Sequence, residues 1–97
     1  MAYSERRRRE PVKTTGEGVL HYLGYHGDVA YELTGVLKGL RVGGPPLRGA
    51  IHTSAERAKG AFSAGRGHLK LEDGKEYAVT VVGHTEGSGT AYIELSA

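Results

Sequence analysis

Two sets of side chains in this chain have the types and spacing to do chemistry. The first is His84-Thr85-Glu86, held between Gly83 and Gly87. An imidazole and a carboxylate two residues apart could ligate a metal or form an acid–base pair. A metal needs three or four ligands, however, and His21, His26, His52 and His68 stand at no recognised ligand spacing from this pair. Nor does the sequence assemble a nucleophile, a base and an orienting group around it. The expectation is a solvated polar turn, which ranks an enzyme using His84 and Glu86 third among the functions weighed.

The second set is the run Arg6, Arg7, Arg8 and Arg9, with Lys13 following. Guanidinium groups present a fixed fork to phosphate, and release of counterions gives affinity for nucleic acid that falls with salt. The same run in a flexible leader also simply solubilises. A nucleic acid or another polyanion is therefore the partner to expect of this segment if it has one. Glycine-rich phosphate cradles are missing: Gly65-Arg66-Gly67 and Gly87-Ser88-Gly89 each lack a third glycine, and neither joins a strand to a helix.

The elements that must position these groups are strands. From Gly74 to Leu95 two alternating runs surround a glycine-rich turn, with Tyr77, Val79 and Val81 on one side and Ala91, Ile93 and Leu95 to match them. Pairing Val81 with Ala91, Val79 with Ile93 and Tyr77 with Leu95 keeps every apolar partner on one face. His84 to Ser88 then forms the loop. Val82 and Tyr92 turn outward, away from the core, and Val36 does so in an earlier run.

Before this hairpin, residues 1–15 read as a flexible basic leader and residues 16–97 as a single β domain. Val19 to Tyr25 is a short strand, apolar on both faces, with the turn after it assigned to Gly27-Asp28. Val29 to Lys38 places Val29, Tyr31, Leu33 and Leu37 inward, with Gly35 marking a bend. Gly43-Gly44-Pro45-Pro46 is loop, and Leu47 to His52 a short strand. Thr53 to Glu56 has capping-box spacing, which predicts a helix of a turn or two ending at Gly60. Ala61 to Glu72 is strand again, with Leu69 and Leu71 inward. Asp73-Gly74 turns it into the final hairpin.

Composition sets the outer limits. The 97 residues make one domain, 38% hydrophobic, with one Phe and no Trp to fill a core. That is thin for an isolated monomer and favours burial of further surface in a homo-oligomer, most simply a dimer. The absence of cysteine excludes disulfides and thiolate metal sites. No apolar run reaches the ~18 residues of a membrane span, and the N-terminus lacks the apolar core of a secretory signal. The expected location is cytoplasmic. The formal charge of +2 is uneven: residues 1–13 hold five basic and two acidic groups, net +3, while the rest hold eight and nine, net −1.

An arginine-rich leader ahead of a six-stranded barrel is similar in order to PilZ domains, a likeness that implies a cyclic dinucleotide ligand. The residues do not carry it further. Four positions past Arg6, Arg7, Arg8 and Arg9 stand Glu10, Pro11, Val12 and Lys13, not the second arginine of an Arg-x-x-x-Arg element. Around Ser54, His52 and Arg57 occupy the places where an Asp/Asn-x-Ser-x-x-Gly element needs its acidic or amide residue and its glycine. A short helix between third and fourth strands is similar in order to an OB-fold, a likeness of architecture alone.

These readings combine into an all-β protein, a small antiparallel barrel or sandwich of about six strands with one short helical turn. Its interior is filled by side chains, so a ligand must bind at a mouth, on a sheet face or between subunits. The function expected is a non-enzymatic binding or interaction module without cofactor or metal, self-associating, with Tyr22, Val82, His84, Glu86 and Tyr92 as ligand or interface residues. A nucleic-acid or nucleotide-binding barrel using the leader is the alternative.

Overall fold

A long hairpin frames the molecule, β1 (Lys13–Tyr22) running straight back through β2 (Tyr25–Thr34) across a two-residue turn. Both turn residues have positive φ, Leu23 at 44° and Gly24 at 78°, the combination that matches the twist of the flanking strands. The turn therefore lies at Leu23-Gly24 and not at Gly27-Asp28. Gly27 serves packing instead: the Tyr25 hydroxyl occupies the space that a Cβ there would fill. The computed structural model describes residues 13–97, so Arg6, Arg7, Arg8 and Arg9 lie outside the described residues. Strand β1 begins within the segment read as leader, with Thr14 and Thr15 paired to Leu33 and Glu32.

The remaining elements are β3 (Leu47–His52), α1 (Ala55–Ala64), β4 (Arg66–Lys70), β5 (Glu76–His84) and β6 (Thr90–Ser96), with a 3-10 turn at Leu37–Gly39. The strands follow the order β1-β2-β3-β6-β5-β4, and β4 returns to β1, closing a six-stranded barrel. Every pairing is antiparallel. Closure decides for the barrel over the sandwich and, at six strands, departs from the five of an OB-fold.

Inward positions alternate as the sequence pattern requires. Leu20, Leu33, Ile51, Leu69, Ile93 and Leu95 are its largest fully buried side chains, joined by Val29, Tyr31, Leu71, Val79, Val81 and Ala91. Among the described residues no polar or charged side chain is buried. Burial of this apolar surface, at about 25 cal/mol per Å², holds the barrel shut.

The seam between β1 and β4 is short, three residue pairs running from Val19↔Lys70 to His21↔His68. Two glycines let the backbones meet there. A side chain on Gly18 would run into the Lys70 carbonyl oxygen, and one on Gly67 into that of His21. Gly67 thus tightens the seam.

The final hairpin keeps its predicted faces but not its predicted register. Val79 pairs with Leu95 and Val81 with Ile93, two residues from the expected partners, and a bulge between Val81 and Gly83 shifts the register by one more, so that His84 pairs with Ala91. A shift of two preserves the inside–outside assignment, whereas a shift of one would reverse it.

The helix is longer than expected. Its N-cap is Ser54, whose hydroxyl accepts from the Arg57 amide at 3.2 Å, and not Thr53. It passes through Gly60 and ends at Gly65, which is left-handed at φ 81° and donates its N–H to the Ala61 carbonyl. Glycine inside a helix costs roughly 1 kcal/mol relative to alanine. Here it makes room, since a Cβ at Gly60 would stand 2.7 Å from the Tyr22 hydroxyl. Ala61 and Ala58 are buried on the helix face toward the barrel, so Ala61–Ala64 is helical and the following strand begins only at Arg66.

Candidate functional site

Antiparallel pairing brings together three histidines that the sequence leaves scattered. His26 on β2 faces His21 on β1, which in turn faces His68 on β4. Their neighbours Leu20 and Leu69 point into the core, so alternation turns all three imidazoles outward in one row. The rings of His21 and His26 stack with centroids 5.5 Å apart and an interplanar angle of 28°. His21 Nε2 also lies 3.8 Å from the Glu76 carboxylate.

Beside this row a cleft of about 720 Å³ opens between the tip of the β1–β2 hairpin and the β4–β5 pair. Tyr22 and Tyr25 form part of its wall, with ring centroids 5.1 Å apart. Helix α1 holds them in place. The Tyr22 hydroxyl donates to the Arg57 carbonyl at 3.2 Å, and the Arg57 guanidinium sits 5.3 Å from the centre of the Tyr25 ring. Burial, with Tyr25 nearby, pushes the Tyr22 phenol above its ordinary pKa against the pull of Arg57. That favours the protonated hydroxyl this hydrogen bond needs. Arg66, at the start of β4, adds a guanidinium to the lining, and among the described residues no Asp or Glu lines the cleft.

The opposite side of the barrel carries two smaller depressions, about 280 and 220 Å³, both bordered by Tyr92. Tyr92 is 46% exposed and Val82 52%, in agreement with their outward assignment. Val36 is exposed too, but at the N-cap of the 3-10 turn and not within a strand. Glu32 here ties three strands together, reaching Lys13 Nζ at 2.9 Å and His52 Nε2 at 3.9 Å. The hydrogen bond from Lys13, then its charge, holds the Glu32 carboxyl below the usual carboxylate range, and His52 adds to the effect.

His84 and Glu86 lie at the other hairpin, away from the cleft. His84 ends β5, with its Nε2–H donating to the Ser88 carbonyl at 3.1 Å and its ring 6.2 Å from that of Phe62. Glu86 is exposed in the loop. Among the described residues no group of three or more His, Asp or Glu side chains is placed to hold a metal ion. Of the residues the sequence singled out as ligand contacts, Tyr22 alone lines the large cleft. A signal for one pair of the histidines was available: a turn at Leu23-Gly24 automatically sets His21 opposite His26.

Among the described residues no helix is long and apolar enough to cross a membrane. No family model, no curated protein and no solved structure matches this chain.

Proposed function

We propose that this chain is a non-enzymatic binding module whose ligand seat is the cleft at the tip of the β1–β2 hairpin. One observation carries the reading: the cleft, at about 720 Å³, falls within the ~300–1,000 Å³ of small-molecule sites, while the other depressions are smaller. Its aromatic walls and few convergent polar groups are what such a site uses to hold and orient a ligand. The lining supports binding over catalysis, because a row of like imidazoles offers no nucleophile oriented by a base. Backbone NMR of the full chain with a neutral aromatic fragment such as indole tests the seat. Shift changes should concentrate at residues 21–26, 66–68 and 78–80. An even spread, or a maximum around Tyr92, defeats the assignment.

A second reading, self-association, draws on a different surface. Val82 and Tyr92 border one depression on neighbouring strands, with Arg48 and Glu94 beside them. A symmetric dimer burying this face would cover both apolar side chains and could pair the two charges between copies. Sedimentation at micromolar concentration should give a dimer that Tyr92→Lys converts to a monomer. A monomeric wild-type chain removes this reading and leaves the cleft untouched.

A further inference from the structure

We infer that the cleft takes an N-acylated amino acid with an apolar side chain, its carboxylate and its amide N–H both seated on Arg66. The inference rests on the cleft being the ligand seat and names what sits there. Backbone direction is the first argument. Along an antiparallel strand the N–H and C=O groups of successive residues point to opposite edges. The Val81 N–H donates to the Gly65 carbonyl at 2.8 Å, so Gly65 and, two residues on, Gly67 face β5. The N–H and C=O of Arg66 therefore face the other way, toward β1. There the seam has already ended: its last pair is His21↔His68, and the place opposite Arg66 falls to Leu23 in the turn. Among the described residues neither backbone group of Arg66 finds a hydrogen-bond partner. Both open on the cleft, which Leu23, Gly24, Arg66 and Gly67 help to line.

Arg66 thus lacks only the facing residue that would complete a hydrogen-bonded antiparallel pair. Its donor and acceptor stand side by side, which disfavours a bare anion, whose oxygens would meet the Arg66 carbonyl oxygen. The two groups suit a molecule carrying an N–H and a carbonyl-type oxygen at the spacing of one amino-acid residue.

Side chains say how that residue ends. Arg66 lies opposite Thr80 in a pair without backbone hydrogen bonds, the arrangement that brings side chains closest, and both side chains turn outward. Among the described residues neither the guanidinium nor the hydroxyl has a partner, and no Asp or Glu lines the cleft. A cation with a hydroxyl beside it suits a carboxylate in place of a further peptide bond. The ligand N–H then donates to the Arg66 carbonyl, one carboxylate oxygen accepts from the Arg66 N–H, and the other accepts from the guanidinium. A free amino acid is disfavoured, because its ammonium would lie beside that guanidinium. Acylation removes the charge and keeps the N–H. Ala78, opposite His68, leaves room on the outer face, and Leu23, 86% exposed at the lip, offers contact to an apolar side chain. The polar groups all lie in the plane of β4 or on its outer side, so one small ligand reaches them together.

Chemical-shift titration of the full chain tests this with N-acetyl-leucine, N-acetyl-leucinamide and 4-methylpentanoate as probes. N-acetyl-leucine should bind about tenfold or more tighter than the leucinamide, which lacks the charge, the step expected of a charge-assisted hydrogen bond. It should also bind several-fold tighter than 4-methylpentanoate, which keeps the carboxylate and lacks the N–H. The variant Arg66→Gln should erase the preference for acid over amide while keeping the circular dichroism spectrum of the wild type. Arg41→Gln, a change in the loop before β3, should leave that preference as it is. Equal affinity for acid and amide, equal affinity for 4-methylpentanoate, a preference that survives Arg66→Gln, or its loss through Arg41→Gln overturns the inference. If indole maps to the cleft and N-acetyl-leucine does not bind, the ligand class is wrong and the seat stands. If indole fails as well, both fall.

Discussion

Replacing Gly18 by valine is expected to cost about 3 kcal/mol of stability, at the upper end of what overpacking does. The reason is that the obstacle is backbone. A Cβ on Gly18 points at the Lys70 carbonyl oxygen, which belongs to the strand that must pair with β1 and cannot rotate aside as a side chain would. Relief comes only by moving β1 away from β4 at a seam of three residue pairs. For a domain near 100 residues, about 3 kcal/mol lowers the thermal midpoint by on the order of 12–24 °C. Ala30→Val is the control, since Ala30 is exposed on the partner strand β2 and the change should stay within ~0.5 kcal/mol. A Gly18→Val protein melting with the wild type would show that the seam does not carry the barrel.

The second large effect belongs to Leu95. It is fully buried, set opposite Val79 on β5 and Leu47 on β3, at the centre of the three-strand set β3-β6-β5. Leu95→Ala removes apolar burial and leaves a cavity, which together cost ~2–5 kcal/mol at such sites. Val82→Ala, on the bulge and half exposed, should cost well under ~1 kcal/mol. Urea unfolding of the two variants measures the contrast. Had the hairpin slipped by one residue, Leu95 would face water and the order would reverse.

That contrast also marks what could be read from the sequence. The faces of β5 and β6 were legible because alternation has a period of two and survives a register shift of two. The register itself was not, because it depends on the length of the loop as well as on the bulge at Val82, and neither leaves a mark beyond glycines that fit several turns. The same ambiguity moved the helix end. Gly60 looks like a stop from local propensity, but the Tyr22 hydroxyl, placed by a strand some forty residues earlier, is what explains a glycine there.

The histidine row was hidden for a related reason. The pairing of His21 with His26 depends on one turn, which competing glycines made ambiguous. The pairing of His21 with His68 depends on barrel closure, a contact between distant segments with no local signature. Tyr22 was singled out for its chemistry alone and proved to line the cleft. His84 and Glu86 were singled out for their proximity in sequence, yet His84 spends its Nε2–H on the carbonyl of its own loop.

The β1–β4 seam has a thermodynamic consequence for anything the cleft holds. Residues from the N-terminal hairpin supply one side of the cleft and residues from β4 and β5 the other, so neither half of the chain contains the site. An opened barrel has no site to offer, and occupancy is linked to closure by mass action. At a free concentration of about a hundred times its dissociation constant, such a ligand adds about 2.7 kcal/mol to the closed state. Occupancy could therefore be followed as a rise in melting temperature, with no signal required from the ligand itself.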